Sequence, residues 1–225
     1  MLGSQGEEPP VAPVHWQSLT YFTVTDLERG AGPGSKPVKG RLAVRRPKEQ
    51  GARSTFAPGV FVVPAEDGSR AYRLHEADGE GELLCRVTPV PGTGGERFRV
   101  NDELGTELGT VHRTPAARRT VQHGWWLTQP GYGEVVARYH WVKGSVEETT
   151  GEPAGAFLGG MFGALSGLGA EDGDQPTASR KPVTWVADGK VAMTSQARGG
   201  YRAYLVRAPW LDQRLAFALA VLREV

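Results

Sequence analysis

The sequence predicts a mainly β protein in which about twelve antiparallel strands form a wall around a buried C-terminal helix. Two observations lead to this fold class. Short runs rich in Val, Tyr, Phe, Trp and Thr recur along most of the chain, separated by Gly, Pro, Asn and Asp, at the spacing of an antiparallel barrel or sandwich. Residues 210–225 carry instead an uninterrupted helical segment that is apolar on every side.

The predicted helix covers residues 210–225 and contains no polar residue from Leu215 to Leu222. Pro209 and Asp212 stand where a helix start favours a rigid backbone and a negative charge. A helix that is apolar all round belongs in a large core or in a bilayer. At about 1.5 Å per residue the segment is roughly 24 Å long, whereas a membrane crossing needs ~20 uninterrupted apolar residues. We therefore expect the helix to lie inside the protein.

The strand-like runs are bounded by turn residues, and several of them alternate. In one run Leu83, Cys85, Val87 and Pro89 are predicted to share a face, and in another region Asp188-Gly189 is a strong hairpin signal. The predicted strands are 17–25, 39–46, 59–64, 70–76, 83–90, 97–101, 107–113, 119–128, 134–142, 182–187, 190–196 and 201–207.

Length, charge and cysteine content limit the class of protein. The chain has 225 residues and a formal net charge of +1, so it fits one all-β domain and has no overall field that draws it to nucleic acid or to an anionic membrane. The lone Cys85 excludes an internal disulfide and a cysteine-based zinc cluster. No apolar run near the start is typical of a secretion signal. We predict a cytoplasmic protein with no specific nucleic-acid partner.

Two segments depart from the strand pattern. Residues 1–14 are polar and Pro-rich and are predicted to be a disordered tail, whereas 15–225 is predicted to be a single domain. The second segment, 143–181, is a Gly-rich apolar insertion with glycines at intervals of four between 155 and 167. It is interpreted either as a flexible strand connection or as a segment that contacts a membrane or a partner. Its contact candidates are Phe157, Leu158, Met161, Phe162 and Leu165.

Two stretches resemble the LURP-one-related family. Residues 97–141 contain an Asp-Glu-x-Gly turn at Asp102 to Gly105, followed by a strand with basic residues at its end and a strand that begins at Glu134. The C-terminal stretch has an Asp-Gly-Lys hairpin, a last strand and an Asp-x-x-Leu-x-x-Ala helix that starts at Asp212. The resemblance covers about residues 97–225, and the long insertion and the loosely patterned N-terminal third depart from it.

The superfamily of this resemblance groups LURP-one-related, tubby C-terminal and phospholipid scramblase domains. Membership implies a closed, twelve-stranded β-barrel around a central hydrophobic C-terminal helix. It also implies a lipid-related role, because basic residues of tubby-like members meet phosphoinositide head groups. Those positions do not match this chain one by one, so no site residue is carried over from the family.

The sequence contains no recognisable catalytic motif. The histidines at 15, 75, 112, 123 and 140 are scattered, and no HExxH, GxSxG or phosphate-cradling loop occurs. His112 is interpreted as a structural or solvent-facing residue and Cys85 as a small buried hydrophobe. We predict that the protein is not an enzyme, and we predict no catalytic residue, metal or cofactor.

Basic residues form two groups that can bind phosphate. The first group lies between Lys36 and Arg53, and its candidates are Lys39, Arg41, Arg45 and Arg46. The second joins two predicted strands and consists of Arg113, Arg118 and Arg119. The alternative interpretation of each group is a solvated surface loop. Two aromatic pairs are candidates for a ligand surface. Trp125 and Trp126 are expected to point to opposite faces, one core and one exposed, whereas Tyr139 and Trp141 are expected to share a core face.

The leading hypothesis is a non-enzymatic binding module, peripheral at the membrane, that binds anionic lipid or another phosphate-bearing ligand through its basic loops. The alternative is a protein–protein interaction scaffold that uses the 155–169 part of the insertion. Lipid binding predicts salt-sensitive association with anionic vesicles, whereas the scaffold predicts loss of a protein partner when 155–169 is deleted.

Overall fold

Twelve antiparallel strands close into a barrel in the computed structural model, which describes residues 9–50, 53–78, 81–92, 95–115, 124–139, 182–198 and 200–225. The strands are β1 (Tyr21–Arg29), β2 (Val38–Gln50), β3 (Arg53–Pro64), β4 (Tyr72–Glu76), β5 (Leu83–Val90), β6 (Glu96–Asp102), β7 (Glu107–Arg113), β8 (Trp125–Thr128), β9 (Val135–Tyr139), β10 (Val183–Ala187), β11 (Lys190–Arg198) and β12 (Tyr201–Val206). Each pairs with its neighbours in the chain, and β12 pairs with β1 to close the barrel.

The predicted fold class is therefore confirmed, and each predicted strand overlaps one observed strand. Closure leaves no unpaired strand edge along the sheet, which removes a template for aggregation. The largest differences are in the first three strands. The predicted start of β1 at residue 17 is wrong, because Trp16–Ser18 form a 3-10 helix, and the strand ends at Arg29 instead of residue 25. Strands β2 and β3 extend the predicted runs to Gln50 and back to Arg53. Their added residues are mainly polar and lack a clear alternation, so the sequence pattern did not mark them as strand.

The C-terminal helix α1 (Gln213–Glu224) lies inside the barrel. Every residue from Leu215 to Leu222 is at most 1% exposed, and the helix packs against β1, β5, β7 and β12. The Phe217 ring meets the Phe22 ring edge-on with centroids 4.9 Å apart. Full burial of each large apolar side chain is worth about 1.5–3 kcal/mol, so this segment is a main source of the barrel's stability.

The helix begins three positions after the predicted start at residue 210 because Gln129 holds the preceding backbone. Its Nε2 donates to Trp210 O at 2.7 Å, and its Oε1 accepts from the Asp212 N–H at 2.8 Å. Asp212 is then the N-cap, and its Oδ1 accepts from the Arg214 N–H at 2.8 Å. The capping role expected for an acidic residue at this position is confirmed.

Two local patterns have different outcomes. Asp188 and Gly189 both have positive φ (48° and 74°) between β10 and β11, as a primed hairpin turn requires, so that hairpin is confirmed. The predicted face in β5 is partly wrong, because Leu84 is buried and Pro89 is exposed. The β4–β5 register skips Leu84, so a bulge turns this extra residue inward.

The segment before β1 covers the barrel end at which α1 begins. The predicted disordered tail covers residues 1–14, and the structure describes it from residue 9, where the Val14 N–H donates to Pro58 O at 2.9 Å and Arg29 Nη2 donates to Pro9 O. Leu19 is fully buried, and Gln213 Nε2 donates to Gln17 O at 3.2 Å. The rest of the predicted tail and the insertion at 143–181 lie outside the described residues.

Candidate anion-binding site

Three of the predicted ligand residues are engaged with other parts of the protein. Lys39 Nζ lies 2.9 Å from Asp26 Oδ2, and Arg113 Nη1 lies 3.1 Å from Glu96 Oε2. Arg46 Nη2 donates to both the carbonyl and the hydroxyl oxygen of Ser18 at 2.6 Å. The other two candidates of the second basic group, Arg118 and Arg119, lie outside the described residues, as do Phe157, Leu158, Met161, Phe162 and Leu165.

Arg45 corrects the first basic group, because its side chain is 0% exposed. It donates to three carbonyl oxygens: Thr25 O at 3.2 Å, Phe56 O at 3.0 Å and Arg41 O at 2.7 Å. Burial lowers the pKa of Arg45, and Glu28, with Oε1 3.6 Å from Arg45 Nη2, opposes that shift. The residue joins β1, β2 and β3 from within and is not available to an external ligand.

The remaining candidate, Arg41, lines a surface cavity of about 540 Å³ on the outer wall of the barrel. We call this cavity the wall pocket. It is formed by β2, β3, β4 and the turn after β4, and its lining residues are Arg41, Phe61, Val63, Arg73, His75, Glu76, Ala77 and Gly81.

Strand register explains why these side chains meet. Phe61 pairs with His75 and Val63 pairs with Arg73, so all four face the outside of the β3–β4 ladder. The Arg41 guanidinium lies 4.1 Å from the centroid of the Phe61 ring, which is cation–π geometry. Arg73 is exposed, and its guanidinium makes no hydrogen bond or ion pair with any residue of the described ranges.

The other polar groups of the pocket have defined partners. His75 Nδ1 lies 3.0 Å from Gly81 O, and because a carbonyl only accepts, this nitrogen carries the proton and Nε2 is left free. Glu76 Oε1 accepts from Trp16 Nε1–H at 2.7 Å. The pocket thus presents two guanidinium groups and one carboxylate, whose first oxygen is already bonded to Trp16.

The positive charge continues onto the next strand. Arg86 on β5 is the direct cross-strand partner of Arg73, and both side chains are exposed. Like charges at such a pair are destabilising, and Arg86 has no carboxylate partner within the described part of the chain. Since the whole chain carries only +1, this outer face of β2–β5 is a local basic surface.

Sequence reasoning found Arg41 but missed Arg73, His75 and Phe61. A signal for two of them was present, because Tyr72 and Leu74 are buried and alternate with Arg73 and His75 in β4. Their apposition to Phe61 and Val63 depends on the register of two strands. The positions of charged residues along the chain do not predict that register.

The tryptophan pair divides as predicted only in part. Trp125 is 7% exposed and belongs to the core, whereas Trp126 is half-buried instead of exposed. The Trp126 ring stacks on His112 of the adjacent strand, with centroids 3.6 Å apart and an interplanar angle of 6°. The side chain of Tyr139, like the whole of Trp141, lies outside the described residues.

His112 makes stability dependent on pH. Burial, and secondarily the charge of Arg97, lower the pKa of His112 to about 4 from 6.5. The folded state therefore favours the neutral ring, while the unfolded chain takes up a proton as pH falls through 6.5. Stability should drop between pH 6.5 and about 4 by about 1–2 kcal/mol, because partial exposure discounts the ~3 kcal/mol of the full shift.

The check is chemical denaturation at several pH values on the natural chain and on His112→Gln. In the variant, the free energy of unfolding should no longer fall between pH 6.5 and 4.5 by the amount that His112 contributes. This holds even if loss of the stacked ring lowers stability at neutral pH. His15→Gln is the matched control, because His15 is exposed on the surface. Equal slopes for His112→Gln and the natural chain would contradict the assignment.

The described residues contain no group of three or more His, Cys, Asp or Glu side chains placed to hold a metal ion. None of the described helices has the length and hydrophobicity needed to cross a bilayer. Burial raises the pKa of the Cys85 thiol to about 12, so this cysteine is held in its unreactive, protonated form.

The fold and the site together define a twelve-stranded barrel that has a helix in its core and a basic pocket on its outer wall. No protein-family model, curated protein or solved structure matches the chain. The resemblance to LURP-one-related and tubby-like domains accordingly stays a prediction, and the site has to be interpreted from its own chemistry.

Proposed function

We propose that this protein is a binding module whose ligand carries a phosphate group, and that Arg41 and Arg73 hold the phosphate in the wall pocket. The observation that carries the proposal is the pairing of these two exposed guanidinium groups in one cavity, with no carboxylate of the described residues bonded to Arg73. A planar guanidinium matches two phosphate oxygens at once, and such charge-assisted bonds are the stronger kind.

The apolar side of the pocket favours an organic phosphate over a free phosphate ion. Phe61 and Val63 lie beside the two arginines, and the Phe61 ring already fixes the Arg41 guanidinium. Carbon atoms attached to the phosphate would pack on these two side chains. The free Nε2 of His75 offers a further polar contact at the edge of the same surface.

Arg86 supports the same ligand class. It repels Arg73 across the strand pair in the free protein, and an anion bound to Arg73 in the wall pocket would reduce that repulsion. The ligand phosphate can belong to a lipid head group or to a soluble metabolite. The two sources share the chemistry of the pocket and differ in whether the protein associates with vesicles.

Double substitution of Arg41→Gln and Arg73→Gln should weaken phosphate binding at least about tenfold, because each lost charge-assisted contact is worth about 1.5–3 kcal/mol. The measurement is a titration with glycerol 3-phosphate, followed by NMR of the isotopically labelled full chain. The matched control is Arg198→Gln with Arg207→Gln, which removes two exposed arginines outside the pocket. Absence of saturable binding, or an equal loss in the control pair, would refute the proposal.

Co-sedimentation with vesicles identifies the source of the phosphate. Phosphatidylcholine vesicles with and without phosphatidic acid are compared at low and moderate salt. A lipid head group is indicated if association requires phosphatidic acid, weakens with salt and is lost in the Arg41/Arg73 variant. Glycerol 3-phosphate binding without vesicle association indicates a soluble ligand.

The scaffold alternative concerns residues 155–169, which lie outside the described residues. It predicts that deletion of 155–169 leaves glycerol 3-phosphate binding unchanged and removes association with a protein partner. The same deletion in the vesicle assay tests an apolar membrane contact, because such a contact would resist salt.

A further inference from the structure

A second polar group of residues surrounds the last turn of α1, inside the barrel and away from the wall pocket. We call it the helix-end cluster, and it consists of Trp185, Ser195, Arg202, Tyr204, Arg223 and Glu224. Tyr204 Oη donates to Glu224 Oε1 at 2.6 Å, and Arg202 Nε lies 3.4 Å from the same oxygen. The Glu224 carboxyl is thus already engaged by two neighbours.

Within the described residues, three buried polar atoms of this cluster have no hydrogen-bond partner: Trp185 Nε1, Ser195 Oγ and Arg223 Nη1. Trp185 is 0% exposed and Ser195 is 2% exposed. The indole N–H and the guanidinium are donors only, and a buried donor left without an acceptor costs about 1–3 kcal/mol. An arrangement of several such donors needs an explanation in terms of what they bind.

The three atoms belong to side chains that lie near one another. The Arg223 guanidinium lies 5.2 Å from the centroid of the Trp185 ring. Ser195 is the cross-strand partner of both Val183 and Tyr204, which makes it a diagonal neighbour of Trp185 on the inner face of the barrel. Tyr204 in turn bonds Glu224, the residue after Arg223. The residues of β10 and β11 that carry two of the unsatisfied atoms therefore lie beside the last turn of α1, which carries the third.

We propose that the helix-end cluster binds a small anion that accepts hydrogen bonds from Trp185 Nε1, Ser195 Oγ and Arg223 Nη1. A carboxylate or inorganic oxyanion fits, because it offers only acceptors and carries the charge that a guanidinium favours. The nearby Glu224 carboxyl does not take this place in the structure, since its Oε1 is engaged by Tyr204 and Arg202 and none of the three atoms forms a hydrogen bond with it. The Arg223 side chain as a whole is half-buried and so reaches the surface, whereas its Nη1 atom is buried.

The test follows the indole N–H signal of Trp185 by NMR while acetate, sulfate and inorganic phosphate are added separately. The full chain carries the Arg41→Gln and Arg73→Gln substitutions, so that binding in the wall pocket does not contribute, and Trp185→Phe is used only to assign the signal. We expect a saturable shift of this signal with at least one anion. Failure of all three anions to give a saturable shift would overturn the proposal.

Arg223→Gln should weaken that binding at least tenfold, whereas Arg198→Gln, which removes an exposed arginine of β11, should leave it unchanged. Ser195→Ala provides a second measurement that does not depend on Arg223. Without anion it should melt no lower than the natural chain, since it removes an unpaired hydroxyl, and with saturating anion it should gain less in melting temperature. Equal gains in both proteins, or equal binding by Arg223→Gln, would contradict the site.

Discussion

Replacing Ala218 with aspartate is expected to destabilise the protein by at least about 4 kcal/mol and to leave much of it unfolded at room temperature. Ala218 is 0% exposed and stands in the middle of the helix segment that the barrel encloses. A carboxylate there would be placed within the hydrophobic core of the described residues, a cluster that contains no charged side chain. The group must either stay ionised without a partner or be protonated at neutral pH, and both cost free energy.

Urea denaturation monitored by tryptophan fluorescence measures this effect. Ala31→Asp is the matched control, because it makes the same chemical change at an exposed position of the described chain and should alter the free energy of unfolding by less than about 0.5 kcal/mol. If Ala218→Asp unfolds at the same urea concentration as the natural chain, the helix does not lie inside the barrel.

Gly109→Ala is expected to cost about 3 kcal/mol, although it adds only a methyl group. Gly109 has φ +153°, in the range that L side chains rarely adopt, and it lies in β7 where this strand faces α1. An added Cβ would be 3.0 Å from Leu215 Cδ2 and would also overlap the Thr128 carbonyl oxygen of β8. That oxygen belongs to the backbone of the barrel, so the strand itself would have to move.

Gly131→Ala separates the two causes of the lost stability, which are backbone strain at positive φ and steric overlap of the added Cβ. Gly131 also has positive φ (82°), but an added Cβ there meets nothing within 4 Å, so backbone strain alone should cost about 1 kcal/mol. Both variants are compared by urea denaturation. A cost for Gly109→Ala no larger than that for Gly131→Ala would mean that Gly109 does not lie in close contact with the Thr128 carbonyl and Leu215.

The fold was predictable because a buried helix requires an apolar sequence on every side. The stretch from Leu215 to Leu222 has no polar residue, and only an environment that is apolar on every side accommodates it. The hairpin at Asp188-Gly189 follows from residues that tolerate positive φ. By contrast, the bulge at Leu84 and the start of α1 depend on the partner strand and on Gln129, which are distant in sequence.

The candidate site was predictable only in part, because charge along a chain does not reveal accessibility. Arg41 and Arg45 are four residues apart in one basic group, yet Arg41 is exposed at the wall pocket and Arg45 is fully buried. The carbonyl groups that accept hydrogen bonds from Arg45 belong to three strands, and no local sequence pattern predicts these contacts. Arg73 was not predicted for a related reason, because its place beside Arg41 follows from strand register and not from a run of charges.

The two proposed sites lie in different parts of the barrel. The wall pocket is on the outer face of β2–β4, where strand register brings arginines beside apolar side chains. The helix-end cluster is inside, where the last turn of α1 meets β10, β11 and β12. Loss of binding at one site therefore need not change binding at the other, and the variants Arg73→Gln and Arg223→Gln distinguish them.

Native-state hydrogen exchange of the α1 amides is the most direct test of a barrel built around its C-terminal helix. Residues 216–222 are enclosed by strands on every side, so their amides should exchange only when the whole domain unfolds. Their exchange free energies should then equal the free energy of unfolding from urea denaturation. Exchange of these amides at free energies several kcal/mol lower would show that the helix leaves a barrel that remains folded, which would contradict the structure.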